Sequence, residues 1–434
     1  MKEDLVRGYV PLNIEVLFPM SARAYTDLMC TRSRDFIQPR VVDIVLGIWG
    51  IGGLLASNGS KHKSHRRYLS KSQTAHNVRK FRAIFLDEAV RMADALIPAR
   101  TADGQVCISE IGLRTAISIT CRTTMGYHYD PAVSGCDLQA AYERVRKGTP
   151  FVALLWSCCC TLALPYKAAR WLRGAHIVEP RHLAEQIVEA KRRELQDGAI
   201  AENDGPVDIV SIMMESGAFT VDEMVDETMT FLGVGSNSIA TSLDWAIYSL
   251  CRHPDIQTRL RNEVRQHASS LSVNVRDQAS IATAIDTLPY LHAFCNEVLR
   301  HHPPVSAFMR EAACDTALAG VPVPKGTRVA VCPAVPNHNP EFWGDDAAEF
   351  NPDRWSRDPN LTLNHPGFQT FAQGPRSCVG QRYSRTELAI IVAVLVGRFE
   401  MQLADPEKEV EIVCGLGPIP KNDMVVRLRV LDNW

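Results

Sequence analysis

Of the thirteen cysteines in this chain, Cys378 has the surroundings best suited to metal chemistry. The segment FAQGPRSCVGQRYSRTELAIIVAVLVGRF sets it between a Gly/Pro loop and a strongly apolar helix that begins near Gly380. A helix start presents unpaired N–H groups and the positive end of the helix dipole, which stabilise a thiolate and lower its pKa. A deprotonated sulfur is the form that binds metal. Gly374 and Gly380 would let the backbone pass close to a flat cofactor, and Arg376 is within reach of a carboxylate on that cofactor's rim. A cysteine at a helix start is, taken alone, most often a packing residue.

Three further groupings carry charge or unusual backbone freedom. Glu297 and Arg300, in NEVLRHHPPV, stand three apart and therefore share a helix face, as a surface ion pair also would. His62 and Arg66, in GLLASNGSKHKSHRRYLS, are four apart; they are equally compatible with a solvated basic helix, since Lys61, Lys63 and Arg67 surround them. The stretch VDEMVDETMTFLGVGSNSIATSLDWAIYSL reads as one long helix despite Gly233 and Gly235, each costing roughly 0.8 to 1 kcal/mol against alanine, so a close approach or a local opening is expected there. Gly235, Ser238 and Ser242 make a narrow face of small residues that suits either a ligand lying over it or tight helix packing.

The elements that must position these residues are mainly helical. Apolar residues at three and four spacing predict helices over Asn77 to Ile97, His182 to Gln196, Val221 to Arg252, Pro254 to His267, Leu288 to His301 and Gln381 to Phe399. Strand patterns are confined to Ala317 to Ala334 and to a C-terminal pair, Val410 to Val413 with Met424 to Leu431. Loops are expected at Asp197 to Pro206 and Ser356 to Gly367. With 46% hydrophobic residues, a net charge of -2 and no change of composition along its length, the chain reads as a single domain, 1-434, with no electrostatic bias toward nucleic acid. The absence of any C-x-x-C pair argues against a zinc site or a disulfide scaffold. No run reaches the roughly 18 apolar residues of a membrane span. Ile44 to Ala56 and Phe151 to Pro165 are long enough only for peripheral contact with a bilayer, or for burial in the core.

Phe371, Gly374, Arg376, Cys378 and Gly380 together meet F-x-x-G-x-R-x-C-x-G, and in this the chain resembles the cytochrome P450 family. Ala372 stands where many members have glycine, a change that an ordinary backbone angle would tolerate. Glu297 and Arg300 are similar to the family's E-x-x-R motif, and Arg354 in NPDRW completes a buried Glu/Arg/Arg network to which we assign a structural role. The resemblance implies that Cys378 ligates the iron of heme b and that His62, Arg66, Arg310 and Arg376 bind the cofactor. It also implies a mainly α fold with small β-sheets, the haem lying between the long central helix and the cysteine-bearing helix.

In the family the central helix reads A/G-G-x-D/E-T-T, whereas this chain has Val234, Gly235, Ser236, Asn237, Ser238 and Ile239. Asn237 and Ser238 thus occupy the positions that deliver protons, and asparagine carries none at physiological pH. Val234, Ala240, Phe308 and the loop after Gly50 are expected as pocket walls. The implied activity is a monooxygenase that takes electrons from NADPH through an NADPH-cytochrome P450 reductase, uses O2, and oxidises a lipophilic terpenoid, polyketide or alkaloid intermediate of secondary metabolism. Desaturation, ring closure, coupling or rearrangement, or a catalytically silent haem protein, are the alternatives that Asn237 and Ile239 leave open. The chain looks most like microsomal-type fungal members, which sit on the cytoplasmic side of the endoplasmic reticulum, although as it stands it carries no transmembrane anchor.

Overall fold

The computed structural model describes residues 4–10, 14–39, 53–130, 137–147, 174–197, 207–267, 278–358, 361–407, 409–414 and 417–431. All six expected helices form, as Ala75–Leu96, Gly174–Gln196, Val221–Arg252 with an internal π-turn, Pro254–His267, Pro289–His301 and Gln381–Arg398. Their starts follow from local chemistry. The Thr74 hydroxyl accepts from the Asn77 N–H, Thr220 and Glu223 form a reciprocal capping box, and Pro289 occupies the first turn, where its missing donor costs nothing.

From Leu388 to Val396 the helix that follows Cys378 is apolar on every side because every side is covered. No residue of that stretch is more than 1% exposed. Helices Ala75–Leu96, Pro254–His267, Pro289–His301 and the central helix surround it. Each such Leu, Ile or Val stabilises the fold by roughly 1.5–3 kcal/mol relative to exposure. The result is a rigid base for the loop that precedes it.

The central helix runs through Val221–Thr230, widens into a π-turn over Phe231–Gly235, and continues as Ser236–Arg252. The two glycines therefore mark the local opening that their helix-breaking cost suggested, and such π-bulges recur at functional sites. Helix Ile108–Thr124 packs along this segment. Its many Ser, Thr and Ile residues hide the helical period, which is why sequence reading missed it.

The sheets are small. Five strands lie in the order Leu5–Val10, Ile14–Pro19, Arg328–Val331, Phe308–Ala312 and Phe36–Ile37, antiparallel except where Ile14–Pro19 meets Arg328–Val331. The expected C-terminal pair is corrected. Ile412–Cys414 pairs with Pro418–Pro420, while Val425–Val430 joins Phe399–Leu403 and Gln105–Cys107. Val426 and Leu428 are buried, so their strand is drawn to the core-facing sheet instead of to the short hairpin. Phe151 to Pro165, most of Ile44 to Ala56 and most of the Asp197 to Pro206 loop lie outside the described residues. Among the described residues no helix is long and apolar enough to cross a membrane.

Candidate functional site

Cys378 sits at the mouth of its helix with its own N–H donating to the Phe371 carbonyl at 2.8 Å, which closes the preceding loop. The thiol is deeply placed in the protein and yet has exposed surface, so it opens onto interior space. Burial pushes its pKa up, against the Gly380 N–H and the Arg66 charge that lower it. The helix start thus acts in the expected direction, and the sulfur's depth in the protein acts against it.

Two glycine expectations separate. A side chain on Gly380 would meet nothing nearer than the Cys378 sulfur at 3.9 Å, so the approach to the thiol stays open. Gly374, at φ +68°, answers a different need. A Cβ there would lie 1.9 Å from the Met29 carbonyl oxygen, so the glycine admits another stretch of backbone and not a cofactor. Ala372 also departs from expectation, because its φ of 52° is left-handed and its methyl group is strained.

Around this loop the structure brings together His62, Arg66, Arg310 and Arg376. Arg66 donates to the Ser377 carbonyl at 2.7 Å and to its hydroxyl at 3.2 Å. Arg376 donates to the Ser57 carbonyl at 2.9 Å and the Asn58 side-chain oxygen at 2.7 Å. Arg310, 7% exposed, donates to the Gln38 side-chain oxygen and the Met309 carbonyl, both at 2.8 Å. All these acceptors are neutral. Burial, reinforced by Arg376, holds the Arg310 pKa down to about 10, and burial together with Arg376, Arg66 and Arg310 holds His62 down to about 4. Three guanidinium groups thus converge beside an accessible thiol, and among the described residues no carboxylate balances them. A thiolate-ligated, dianionic cofactor such as haem supplies the missing charge, so the residues present fit that group.

The Glu297 network is built as expected and buried throughout. Glu297 and Arg300 are 0% exposed and Arg354 is 4%. Arg300 binds Glu297 through two bonds of 2.9 and 2.7 Å, and Arg354 donates to the same carboxylate at 3.0 Å. The Asn351 N–H and the Trp355 indole add bonds of 2.8 and 2.9 Å. Burial pushes the Glu297 carboxyl up, yet the hydrogen bonds and charges of Arg300 and Arg354 prevail and hold it below its ordinary value. Arg300 also donates to the Asn337 carbonyl, while the Asn337 side chain accepts from the Gln369 N–H and donates to Thr370. The network therefore grips the cysteine loop just before Phe371.

On the central helix, the Asn237 side-chain N–H donates to the Gly233 carbonyl at 2.9 Å inside the π-turn, leaving its oxygen buried and without a partner. The Ser238 hydroxyl donates to the Gly235 carbonyl at 3.2 Å. Of the two readings of the small-residue face, Gly235 fits helix packing, since a Cβ there would lie 3.7 Å from Thr120, an ordinary contact. Ala240, expected as a pocket wall, is 1% exposed and packs in a cluster with Leu113 and Ile117. Val234 and Phe308 remain partly exposed.

Sequence reading missed a buried pair behind the His62 helix. The Glu227 carboxylate meets the His65 Nδ1 at 2.8 Å and accepts from the Leu54 N–H at 2.9 Å, so it joins the Gly59–Leu69 helix, the central helix and the turn after Gly53. Gln38 and Asn58 were missed as well. An isolated Gln or Asn carries no periodic or motif signal.

Comparison with known proteins agrees with this geometry. The Cytochrome P450 family model matches residues 11–426, and the chain belongs to that family. Cytochrome P450 monooxygenase sphH of Aspergillus fumigatus is 32% identical over 100% of this chain and 82% of its own length. Cytochrome P450 monooxygenase FUM15 of Gibberella moniliformis is 33% identical over 93% of this chain and 76% of its own. Cytochrome P450 monooxygenase ALT8 of Alternaria alternata is 31% identical over 100% and 84% respectively.

Proposed function

We propose that this cytochrome P450 is a haem-thiolate monooxygenase of secondary metabolism, ligating iron through Cys378 and holding the haem carboxylates with His62, Arg66, Arg310 and Arg376. The carrying observation is the accessible Cys378 thiol ringed by three arginines that have only neutral partners. Bound haem would supply oxygen activation, with electrons from NADPH through a cytochrome P450 reductase. The relatives' names and the family membership support the reaction class. The substrate is a lipophilic small molecule, and the working location is the cytoplasmic face of the endoplasmic reticulum. The chain acts as one domain.

The protein's own part is orientation, dryness and proton supply. Glu297, Arg300 and Arg354 fix the cysteine loop, and the Cys378 N–H bond to Phe371 aims the sulfur. Asn237 keeps its N–H groups for the π-turn and has no proton to give, so protons would reach the site through the Ser238 hydroxyl or through water. A second reading, motivated by the departure of Asn237 and Ile239 from the family's pattern, is that the oxidation ends in desaturation, ring closure, coupling or rearrangement, outcomes in which the product need not keep an oxygen atom from the gas. Product analysis under oxygen-18 gas separates the two, and product-coupled NADPH consumption excludes a silent haem protein. The primary test is the reduced, carbon-monoxide-treated absorption spectrum. Wild type should show the thiolate band and Cys378→Ala should lose it; a band that survives the substitution refutes the ligand assignment.

A further inference from the structure

Two of the three arginines of the candidate site, Arg310 and Arg376, are held by side-chain amides where salt bridges would be more usual. The Gln38 side-chain oxygen accepts from Arg310 at 2.8 Å. The Asn58 side-chain oxygen accepts from Arg376 at 2.7 Å and from the Gln38 N–H at 2.8 Å, while its amide N–H returns to the Gln38 carbonyl at 2.9 Å. Both amide orientations are set by the donors they face. Asn58 holds the N-cap position of the Gly59–Leu69 helix, yet its side chain makes no capping bond. An Asn cap is typically worth about 1 kcal/mol. The helix forgoes that stabilisation, and the same oxygen goes to Arg376.

We propose that Gln38 and Asn58 are positioning residues whose neutrality is their function: they fix Arg310 and Arg376 without cancelling their charge, which stays available to the two carboxylates of the cofactor. A carboxylate at either position would make a stronger bond to its arginine and would spend the charge the cofactor needs. Among the described residues the surroundings add no compensation, since Arg66 too has only the Ser377 carbonyl and hydroxyl as partners. This inference rests on the reading that Arg310 and Arg376 bind the haem carboxylates.

The experiment measures the rate at which haem passes from the purified holoprotein to an excess of a haem-scavenging apo-globin. Gln38→Glu preserves the shape and the acceptor and adds one charge; Gln38→Met removes the acceptor and adds none. Neutrality as the functional property requires the faster loss from Gln38→Glu, on the order of tenfold over wild type, with Gln38→Met changed about threefold or less. If only the hydrogen bond matters, the order reverses, with Gln38→Glu near wild type and Gln38→Met faster, and the proposal is overturned. It is also overturned if both match wild type. Arg310→Met tests the underlying reading separately, because unchanged haem retention there removes Arg310 from the site whatever Gln38 does. Should Gln38→Glu fail to fold, judged by far-ultraviolet helix content, Asn58→Asp against Asn58→Ala asks the same question, and the same order decides it.

Discussion

Replacing Glu297 by glutamine gives the sharpest test of what fixes the cysteine loop. The change keeps shape and one oxygen. If that oxygen takes the Oε1 position, it still accepts from Arg300 Nη2, Arg354 Nε and the Asn351 N–H at 2.7, 3.0 and 2.8 Å. The new NH2 group then faces the Arg300 Nε–H and the Trp355 indole N–H, which had bonds of 2.9 Å each. Two bonds become donor–donor contacts, Arg300 loses its anion inside the protein, and Arg354 keeps only Asp346, at 3.0 Å, as an anionic partner. Rotating the amide is worse, because it strands three donors in place of two. Breaking a buried ion pair from one side costs about 3–5 kcal/mol.

The cost should fall on the holoprotein's unfolding free energy, read from denaturant titrations of wild type and Glu297→Gln, and on the fraction of protein showing the thiolate band. The pH dependence has a definite sign. The folded-state pKa of Glu297 lies below its unfolded value, so the pair's contribution is complete above the unfolded pKa, near 4.5, and is lost as pH falls through the folded one. Near neutral pH the full deficit should appear, and the mutant should gain on wild type in acid. A deficit under about 1 kcal/mol at neutral pH would mean that the network does not carry the loop, and would refute the reasoning.

Three further outcomes follow from other sites. Burial holds His301 down to about 4 and lowers His302, His338 and His253 as well, so these rings fold neutral and the unfolded chain takes up protons first. His301 alone should therefore remove about 2 kcal/mol of stability between pH 7 and pH 5, the other rings adding to it, and a flat denaturation midpoint across that range would contradict it. Ala372→Gly removes a methyl group from a left-handed residue and should raise stability by about 0.5 kcal/mol, the strain relieved exceeding the added freedom of the unfolded chain; a lower melting temperature would count against that balance. Asn237→Asp sets a carboxyl against the Gly233 carbonyl and, with Ser238→Ala, should change the ratio of NADPH used to product formed. An unaltered ratio in both variants would remove residues 237 and 238 from proton supply.

How much of this was legible beforehand depended on whether a signal was periodic, local or neither. The long helices were readable because an apolar stripe repeats, and the cysteine loop because one contiguous string holds all its parts. Helix Ile108–Thr124 was not, since its hydroxyl side chains satisfy themselves on carbonyls within their own helix, as Thr115 does on Ile111 and Thr123 on Ile119, so polar residues lie where an apolar stripe should run. The effect opposing the helix start at Cys378 was not readable, because helix polarity can be read from sequence and depth in the protein cannot. Ala372 was misjudged for a related reason, as its tolerance depended on a backbone angle that only the folded loop defines.

The two groups of arginines show how one residue type builds a frame in one place and a receptor in another. Arg300 and Arg354 are matched by the Glu297 carboxylate, which Arg300 meets on its own helix and Arg354 from another, so their charges are satisfied by the fold itself and nothing else need bind. Arg66, Arg310 and Arg376 are matched only by carbonyl, amide and hydroxyl oxygens, which supply geometry but leave net positive charge in a half-buried space. Holding like charges together there is unfavourable, as the mutual lowering of Arg310 by Arg376 and of Arg376 by Arg66 indicates, after the larger effect of burial. A dianionic cofactor relieves that repulsion, so its binding energy includes a debt incurred when the protein folds. The same arrangement ties cofactor retention to ionic strength, because salt screens the repulsion among partly exposed cations in the cofactor-free protein and so weakens the advantage of binding. Haem transfer to the scavenging globin should accordingly quicken with added salt in wild type and respond less in Arg310→Met, where one of the three charges is gone.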